Sequence, residues 1–299
     1  MRRNVLLLIV MMFLTGNGPL RAQGKMKIYI SADMEGVVGV VTSEQLGPSG
    51  FDYAQARELM TAEVNAAIAG ARAAGATEIV ISDSHGNGQN LLMDKLPQDV
   101  TLIRSWPRPL MMMQGIDDSF AGAIFIGYHT STSNPEGVRA HTLSSARLAD
   151  VKLNGVSVPE AGINAAIAGH FGVPVVMISG DDAIVAEARS LLGEIEGAVV
   201  KWAYGFHSAK TLMPAAANDL IREKVKTAVT RIKDFRPYVL DTPVTLDVTF
   251  KNYRPSEVLS YLSIVERTDS HSIRFIGKDM VEVSEFLEFM LTYNASLEP

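Results

Sequence analysis

The chain contains no cysteine. Disulfides are therefore excluded, as are thiolate metal ligands, so any metal site has to be built from nitrogen and oxygen donors. A lipid-anchored form is excluded as well, because there is no sulfur to acylate. Basic residues are also in short supply, at 27 Lys and Arg against 33 Asp and Glu. An excess of acid argues against a nucleic-acid partner on electrostatic grounds. No Gly-rich loop stands at the start of a helix to cradle a phosphate, and no internal repeat or low-complexity stretch follows the first 22 residues.

Long apolar runs are missing too. The nearest candidate, Val5 to Leu14, is too short and too poorly flanked for a membrane span. Preceded by Arg2-Arg3 and followed by Leu20-Arg21-Ala22, it reads as a secretory signal, so residues 1–22 are expected to be removed. The expectation is a periplasmic or secreted protein with no membrane association after cleavage. The mature chain then loses three arginines and no acids, leaving 24 basic side chains (27 less three) against 33 acidic ones.

What remains is rich in core-forming residues: 47% of the 299 residues are hydrophobic, enough for one large domain or two unequal ones. Apolar β-rich runs alternate with helical patterns, the signature of an α/β fold with a mostly parallel sheet covered by helices on both faces. Strands are expected at Lys27 to Ser31, Glu78 to Ser82, Leu102 to Ile103, Ala123 to Gly127, Val173 to Ser179 and Val199 to Tyr204. Helices are expected at Tyr53 to Ala74, Glu160 to Phe171 and Asp182 to Leu192. Asn154-Gly155 between two alternating runs predicts a hairpin with a type I′ turn. Beyond Pro214 the pattern changes to a charged helix reaching Phe235, strands at Val244 to Phe250 and Ile273 to Ile276, a helix around Ser256 to Val265, and a last helix from Met280. This divides the chain into a metal-binding catalytic domain, 23–212, and a smaller α+β C-terminal domain, 213–299.

The chemistry concentrates where strands end. Asp33 and Glu35 follow the first strand, Asp83 and His85 the second, His129 the strand at Ala123 to Gly127, and Glu160 opens the helix after the hairpin. In an open parallel sheet these ends share one edge, so residues distant in sequence converge there. His141, from the same half of the chain though off the strand ends, completes this set of candidate donors. Carboxylates and imidazoles without thiols suit zinc or manganese, and more than four such donors suggest two ions sharing a bridging carboxylate, an arrangement that serves hydrolysis. Each residue has a plainer role open to it: a turn histidine for His129, a helix-dipole acid for Glu160, an Asx-turn or a support to a ligand for Asp83, an N-cap for Asp181-Asp182. His170 and His271 read as structural or solvated, and His207 in "GFHSAK" fits either class. On the residues alone, three functions stay open: a metallopeptidase, a phosphomonoesterase whose anion is clamped by Arg104, Arg108 or Arg139, and a non-catalytic metal- or peptide-binding protein.

The segments "SADMEG" (31–36), "DSHG" (83–86), "GYHT" (127–130), the isolated His141 and "PEAGINA" (159–165) together resemble the D-aminopeptidase family of dipeptide-transport operons, which are dinuclear zinc peptidases. The resemblance runs in order from about Lys27 to Lys210. It implies that Asp33, Glu35, His85, His129 and Glu160 are the ligands of two zinc ions per subunit, with Asp33 bridging, and that His141 is the catalytic histidine. It also implies hydrolysis of an N-terminal D-residue from short peptides such as D-Ala-D-Ala, and a ring-like homo-oligomer. The leader is a departure, since the founding type looks cytoplasmic. The loops "SWPRPLMMMQG" and "SNPEGVRAH" are where specificity is expected to vary, with Met111-Met112-Met113 as pocket wall, core or subunit interface.

Overall fold

The computed structural model describes residues 25–293, so the leader expected at 1–22 lies outside the described residues. β1 (Lys27–Ala32) is apolar almost throughout because both of its faces are covered. Ile28 and Ile30 point into one apolar layer and Tyr29 into the other, each with no exposed surface. Full burial of one such side chain is worth on the order of 1.5–3 kcal/mol.

From β1 the chain runs through α1 (Tyr53–Ala73), β2 (Glu78–Asp83), β3 (Thr101–Ile103) and β4 (Gly122–Tyr128). Gly75, with φ 100°, ends α1 as the sequence predicts. The hairpin of β5 (Leu148–Leu153) and β6 (Val156–Ser157) turns at Asn154 and Gly155, whose φ angles of 46° and 83° are those of a type I′ turn. Then follow α2 (Glu160–His170), β7 (Val175–Asp181), α3 (Asp182–Leu192), β8 (Glu196–Gly205), β9 (Ser208–Thr211) and α4 (Pro214–Thr230). The last elements are β10 (Val244–Phe250), α5 (Tyr253–Leu259), β11 (Val265–Arg267), β12 (Ser272–Gly277) and α6 (Met280–Thr292).

Seven strands form the large sheet in the order β3-β2-β1-β4-β7-β8-β9, parallel except for β9 at the edge. The order reverses between β1 and β4, so a crevice opens at the carboxyl ends of those two strands. One face packs on α1 and α4. The other carries α2 and α3, and its core continues through α6 into the second sheet. That second sheet is antiparallel, in the order β11-β12-β10-β5-β6. The change of pattern near Pro214 coincides with the start of α4, yet the sheets are shared across it: the hairpin pairs with β10, some ninety residues later, and α4 packs on the large sheet.

Two glycines let the crevice close tightly. The Asp33 amide donates to the Ile126 carbonyl at 2.8 Å and the Gly36 amide to the Gly127 carbonyl at 2.7 Å. A Cβ on Gly36 would lie 2.0 Å from the Tyr128 carbonyl oxygen, and one on Gly127 2.2 Å from that of Asp33. Gly127 also has φ 72°, and the register of β4 against β7 shifts beside it, a bulge that re-aims the strand end. Gly127→Ala is therefore expected to lower stability by more than about 2 kcal/mol and to weaken metal retention with it. Thermal melting and metal analysis check this; a variant as stable and as metal-rich as the parent would show that the close approach does not matter.

Candidate metal centre

The loop after β1 brings Asp33 and Glu35 to the crevice, buried to 2% and 5% exposure. His85 arrives on the loop after β2, and Asp83 holds that loop rather than the centre: its carboxylate accepts the amides of Asn90 (2.6 Å) and Leu91 (2.7 Å), while the Asn90 side chain donates to the His85 carbonyl at 2.6 Å. His129 follows the end of β4, Glu160 opens α2, and His141 comes from the irregular segment between β4 and β5. All six expected residues line one cleft of about 280 Å³.

The donors fall around the two oxygens of Asp33. His85 Nδ1 lies 3.2 Å from Asp33 Oδ1 and 2.8 Å from Glu35 Oε2. His129 Nε2 lies 3.2 Å from Asp33 Oδ2 and 3.4 Å from Glu160 Oε1. Donors held about 2.0 Å from one tetrahedral zinc ion stand roughly 3.3 Å apart, so these spacings fit such an ion. Asp33 Oδ2, Glu35 Oε2 and His129 Nε2 are moreover buried without a hydrogen-bond partner, which a bound cation would explain. Donor atoms of Asp33, Glu35 and His129, and likewise of His129, His141 and Glu160, come within 4.8 Å of one another.

Each imidazole is oriented from behind by a peptide carbonyl. His85 Nε2 faces the Leu46 carbonyl at 2.8 Å, His129 Nδ1 that of Thr130 at 3.1 Å, and His141 Nδ1 that of Arg139 at 2.8 Å. A carbonyl only accepts, so in the neutral rings these nitrogens carry the proton. The free lone pairs are then Nδ1 of His85 and Nε2 of His129 and His141, all directed into the centre. His141 stacks on His129 with 4.0 Å between ring centres and is the more exposed of the two. Its Nε2 stands 3.6 Å from Glu160 Oε1, which also accepts the Leu143 amide at 2.7 Å.

Sequence reasoning missed the support behind Glu35. Lys201 on β8 is fully buried, and its ammonium donates to the carbonyls of Glu35, Val37 (3.0 Å) and Val40 (2.5 Å). Glu63 on α1 accepts the Val38 amide at 2.8 Å, and Asp181 caps α3 while accepting the Val138 amide at 2.7 Å. Burial lowers Lys201 to about 8 against the pull of Asp181 and Glu63, and burial pushes Glu63 up to about 7. A lysine in a β-rich run reads as an edge residue, and nothing local reveals carbonyls some 160 positions away.

Of the remaining residues, His170 and His207 are exposed and His271 bonds its neighbour Ser270. None of Arg104, Arg108 and Arg139 lines the cleft. Trp106, Met111 and Met112 do, and Met111 to Met113 are also core, so that loop is both wall and packing.

Residues 26–289 match the model of the D-aminopeptidase family. The chain belongs to that family. It is 34% identical over 266 residues to a D-aminopeptidase of Bacillus subtilis (strain 168), covering 89% of this chain and 96% of the relative. The solved structure of the zinc-dependent D-aminopeptidase DppA of Bacillus subtilis, described as a self-compartmentalizing protease, superimposes with a TM-score of 0.85 at 33% identity, over 91% of this chain and 100% of that one. For a member of the D-aminopeptidase family, the cleft at the sheet's reversal is the place to look for peptide chemistry.

Three buried carboxylates in one space demand positive charge. Burial pushes Asp33 up, and Glu35 beside it adds to the push. Burial also acts to raise Glu35 and Glu160, but the histidines overcome it, holding Glu35 well below 4.5 and Glu160 below it. Burial lowers His85 and His129, and here the carboxylates win, lifting both well above 6.5. The raised histidines stabilise the metal-free fold fully below 6.5 and lose that effect as pH rises through their folded values; the lowered glutamates stabilise it above 4.5 and lose that effect as pH falls. Metal-free protein is thus expected to be most stable between about pH 4.5 and 6.5, and the rise in Tm on adding zinc should grow from pH 6 to 8 as protons leave the ligands. Calorimetry with and without chelator measures both; a metal-free Tm that climbs across pH 6 to 8 would contradict the charge balance.

Proposed function

We propose that this chain is an exported, zinc-dependent D-aminopeptidase that releases the N-terminal D-residue of short peptides such as D-Ala-D-Ala. The observation that carries the reading is the grouping of Asp33, Glu35, His85, His129 and Glu160 about the two oxygens of Asp33, in a chain of the D-aminopeptidase family. The zinc dependence of the DppA relative supports the choice of metal. In this reading Asp33, Glu35, His85, His129 and Glu160 would hold two zinc ions, His85 and Glu35 lying toward one oxygen of Asp33 and His129 and Glu160 toward the other.

Zinc, when bound, polarises the scissile carbonyl and acidifies water. The protein supplies the rest. His141 presents Nε2 to the cleft with Nδ1–H fixed on the Arg139 carbonyl, so it can take a proton at Nε2 from the attacking water and return it to the departing amine. Glu160 stands close enough to stabilise the imidazolium formed between those two events. Lys201 and Glu63 keep the loop carrying Glu35 in register while this happens. Trp106, Met111 and Leu143 wall the cleft with apolar surface and restrict water around the reacting bond.

Export is supported by the leader pattern of residues 1–22, and among the described residues no helix is long and apolar enough to cross a membrane. Homo-oligomerisation, ring-like in this proposal, is supported by the self-compartmentalizing description of the DppA relative. The exposed aromatics Tyr253, Tyr261, Phe289 and Tyr293 around α5 and α6 also support it. Gel filtration of the secreted fraction tests both: a monomer, or a chain retained inside the cell with its leader, would remove these parts.

The central test reconstitutes the chain from about Gln23 with zinc and compares D-Ala-D-Ala with L-Ala-L-Ala, with a chelator control. Chelator-sensitive cleavage of the D-peptide is expected. His141→Ala should lower turnover by at least about a hundredfold with metal content near that of the parent. Loss of metal in that variant would make His141 a ligand, and absence of cleavage with both metals bound would overturn the reading.

A further inference from the structure

The cleft above the metal centre has a second charged wall. Glu288, Leu291 and Thr292 of α6 line it, at the i, i+3 and i+4 spacing of one helix face. The buried side of α6 also carries Val283, Ser284, Phe286 and Leu287, and Glu288 is the buried carboxylate on it, at 7% exposure.

The carboxylate is hydrogen-bonded but not charge-paired. Its Oε1 accepts the Arg108 backbone amide at 3.1 Å, and among the described residues no Lys, Arg or His side-chain nitrogen lies within 4.0 Å of it. The Arg108 guanidinium is committed elsewhere, to Ser82 Oγ at 2.9 Å and the Asp83 carbonyl at 2.7 Å, and it lies 3.6 Å from the centre of the Trp106 ring. Burial pushes the Glu288 carboxyl up, and the Arg108 amide together with the more distant Arg108 charge offsets this only in part, so an acid in this position carries a net cost. Anchoring alone does not explain that cost. A neutral glutamine would accept the same amide hydrogen bond, and Ser284 already ties α6 to the Arg108 loop through the Pro109 carbonyl at 2.9 Å. A charge that faces a ligand cleft without a protein partner is explained if the ligand brings the opposite charge.

We infer that Glu288 is the specificity-determining group that receives the protonated α-amine of the peptide, and so selects substrates with a free N-terminus. The inference rests on the aminopeptidase reading. In that geometry the N-terminal residue lies between two walls, its ammonium toward Glu288 on α6 and its carbonyl toward the crevice between β1 and β4. The acids of the metal centre face histidine nitrogens at 2.8 to 3.4 Å, which leaves Glu288 as the carboxylate of the cleft with no side-chain cation against it.

The test uses the zinc-loaded full-length mature chain and the variants Glu288→Gln and Glu288→Asp, with Glu285→Gln, exposed on the same helix, as control. On a D-alanine anilide, E288Q should raise KM by about tenfold or more, with a smaller effect on kcat, while metal content and Tm stay near the parent. E288D, which keeps the charge at shorter reach, should fall between, and E285Q should match the parent. Calorimetric titration with D-alaninol, which has no bond to cleave, and with 1-propanol, which lacks the amine, gives a readout independent of turnover: the parent should prefer the amine-bearing alcohol, and E288Q should lose that preference. An unchanged KM, a loss confined to kcat, or a preference retained in E288Q would overturn the inference and assign the amine to the metal centre. A parent that binds D-alaninol through Glu288 but cleaves no aminoacyl bond would instead overturn the aminopeptidase reading.

Discussion

Asp33, Glu35 and Glu160 are buried in one cleft, Asp33 and Glu160 against the same nitrogen of His129, and that concentration of like charge is the constraint the rest of the site answers to. Carboxylates removed from water must be neutralised or paired. The imidazoles of His85, His129 and His141 stand around the acids with a ring nitrogen 3.2 to 3.6 Å from a carboxylate oxygen. Behind them, the Lys201 ammonium satisfies three carbonyls of the loop that delivers Glu35. The sheet provides the convergence, the two glycines permit the contact, and the positive charge makes it tolerable.

The same accounting explains why the two sheets interleave in sequence. The centre lies at the reversal between β1 and β4, but its cleft needs a second wall. The hairpin of β5 and β6 joins β10 and β12, and the core they share with α6 sets that helix over the opening. The second sheet thereby holds one side of the cleft in place, a role its position in the chain does not announce.

Legibility in the sequence followed the range of the signals. Asp33, Glu35, His85 and His129 were readable because each follows a strongly apolar run, and strand ends in a parallel sheet must meet. Glu160 was readable from the helix start behind Pro159, and Asn154-Gly155 gave away its turn. His141 is readable as a candidate donor from its residue type alone, and only the family resemblance gives it the catalytic role, since it sits in an irregular segment that no periodicity describes. The short strands β9 and β11 carried too little pattern to be seen, and the helix expected around Ser256 to Val265 begins at Tyr253 and ends at Leu259. Lys201, Glu63 and Glu288 were illegible for a different reason. Each is a single charge inside an apolar pattern, and its meaning lies in a partner or a cavity supplied by a remote part of the chain.

The histidines of this centre take their orientation from main-chain oxygens at Leu46, Thr130 and Arg139. A peptide carbonyl is present whatever side chain the residue bears. Where side-chain carboxylates or amides align the ligands of a centre, one codon change can misalign it; here the aligning groups cannot be mutated away. The burden of inheritance shifts to loop shape: what must be kept at these three positions is the backbone path, with side chains that the fully buried Thr130 site and the φ of 56° at Arg139 can accept.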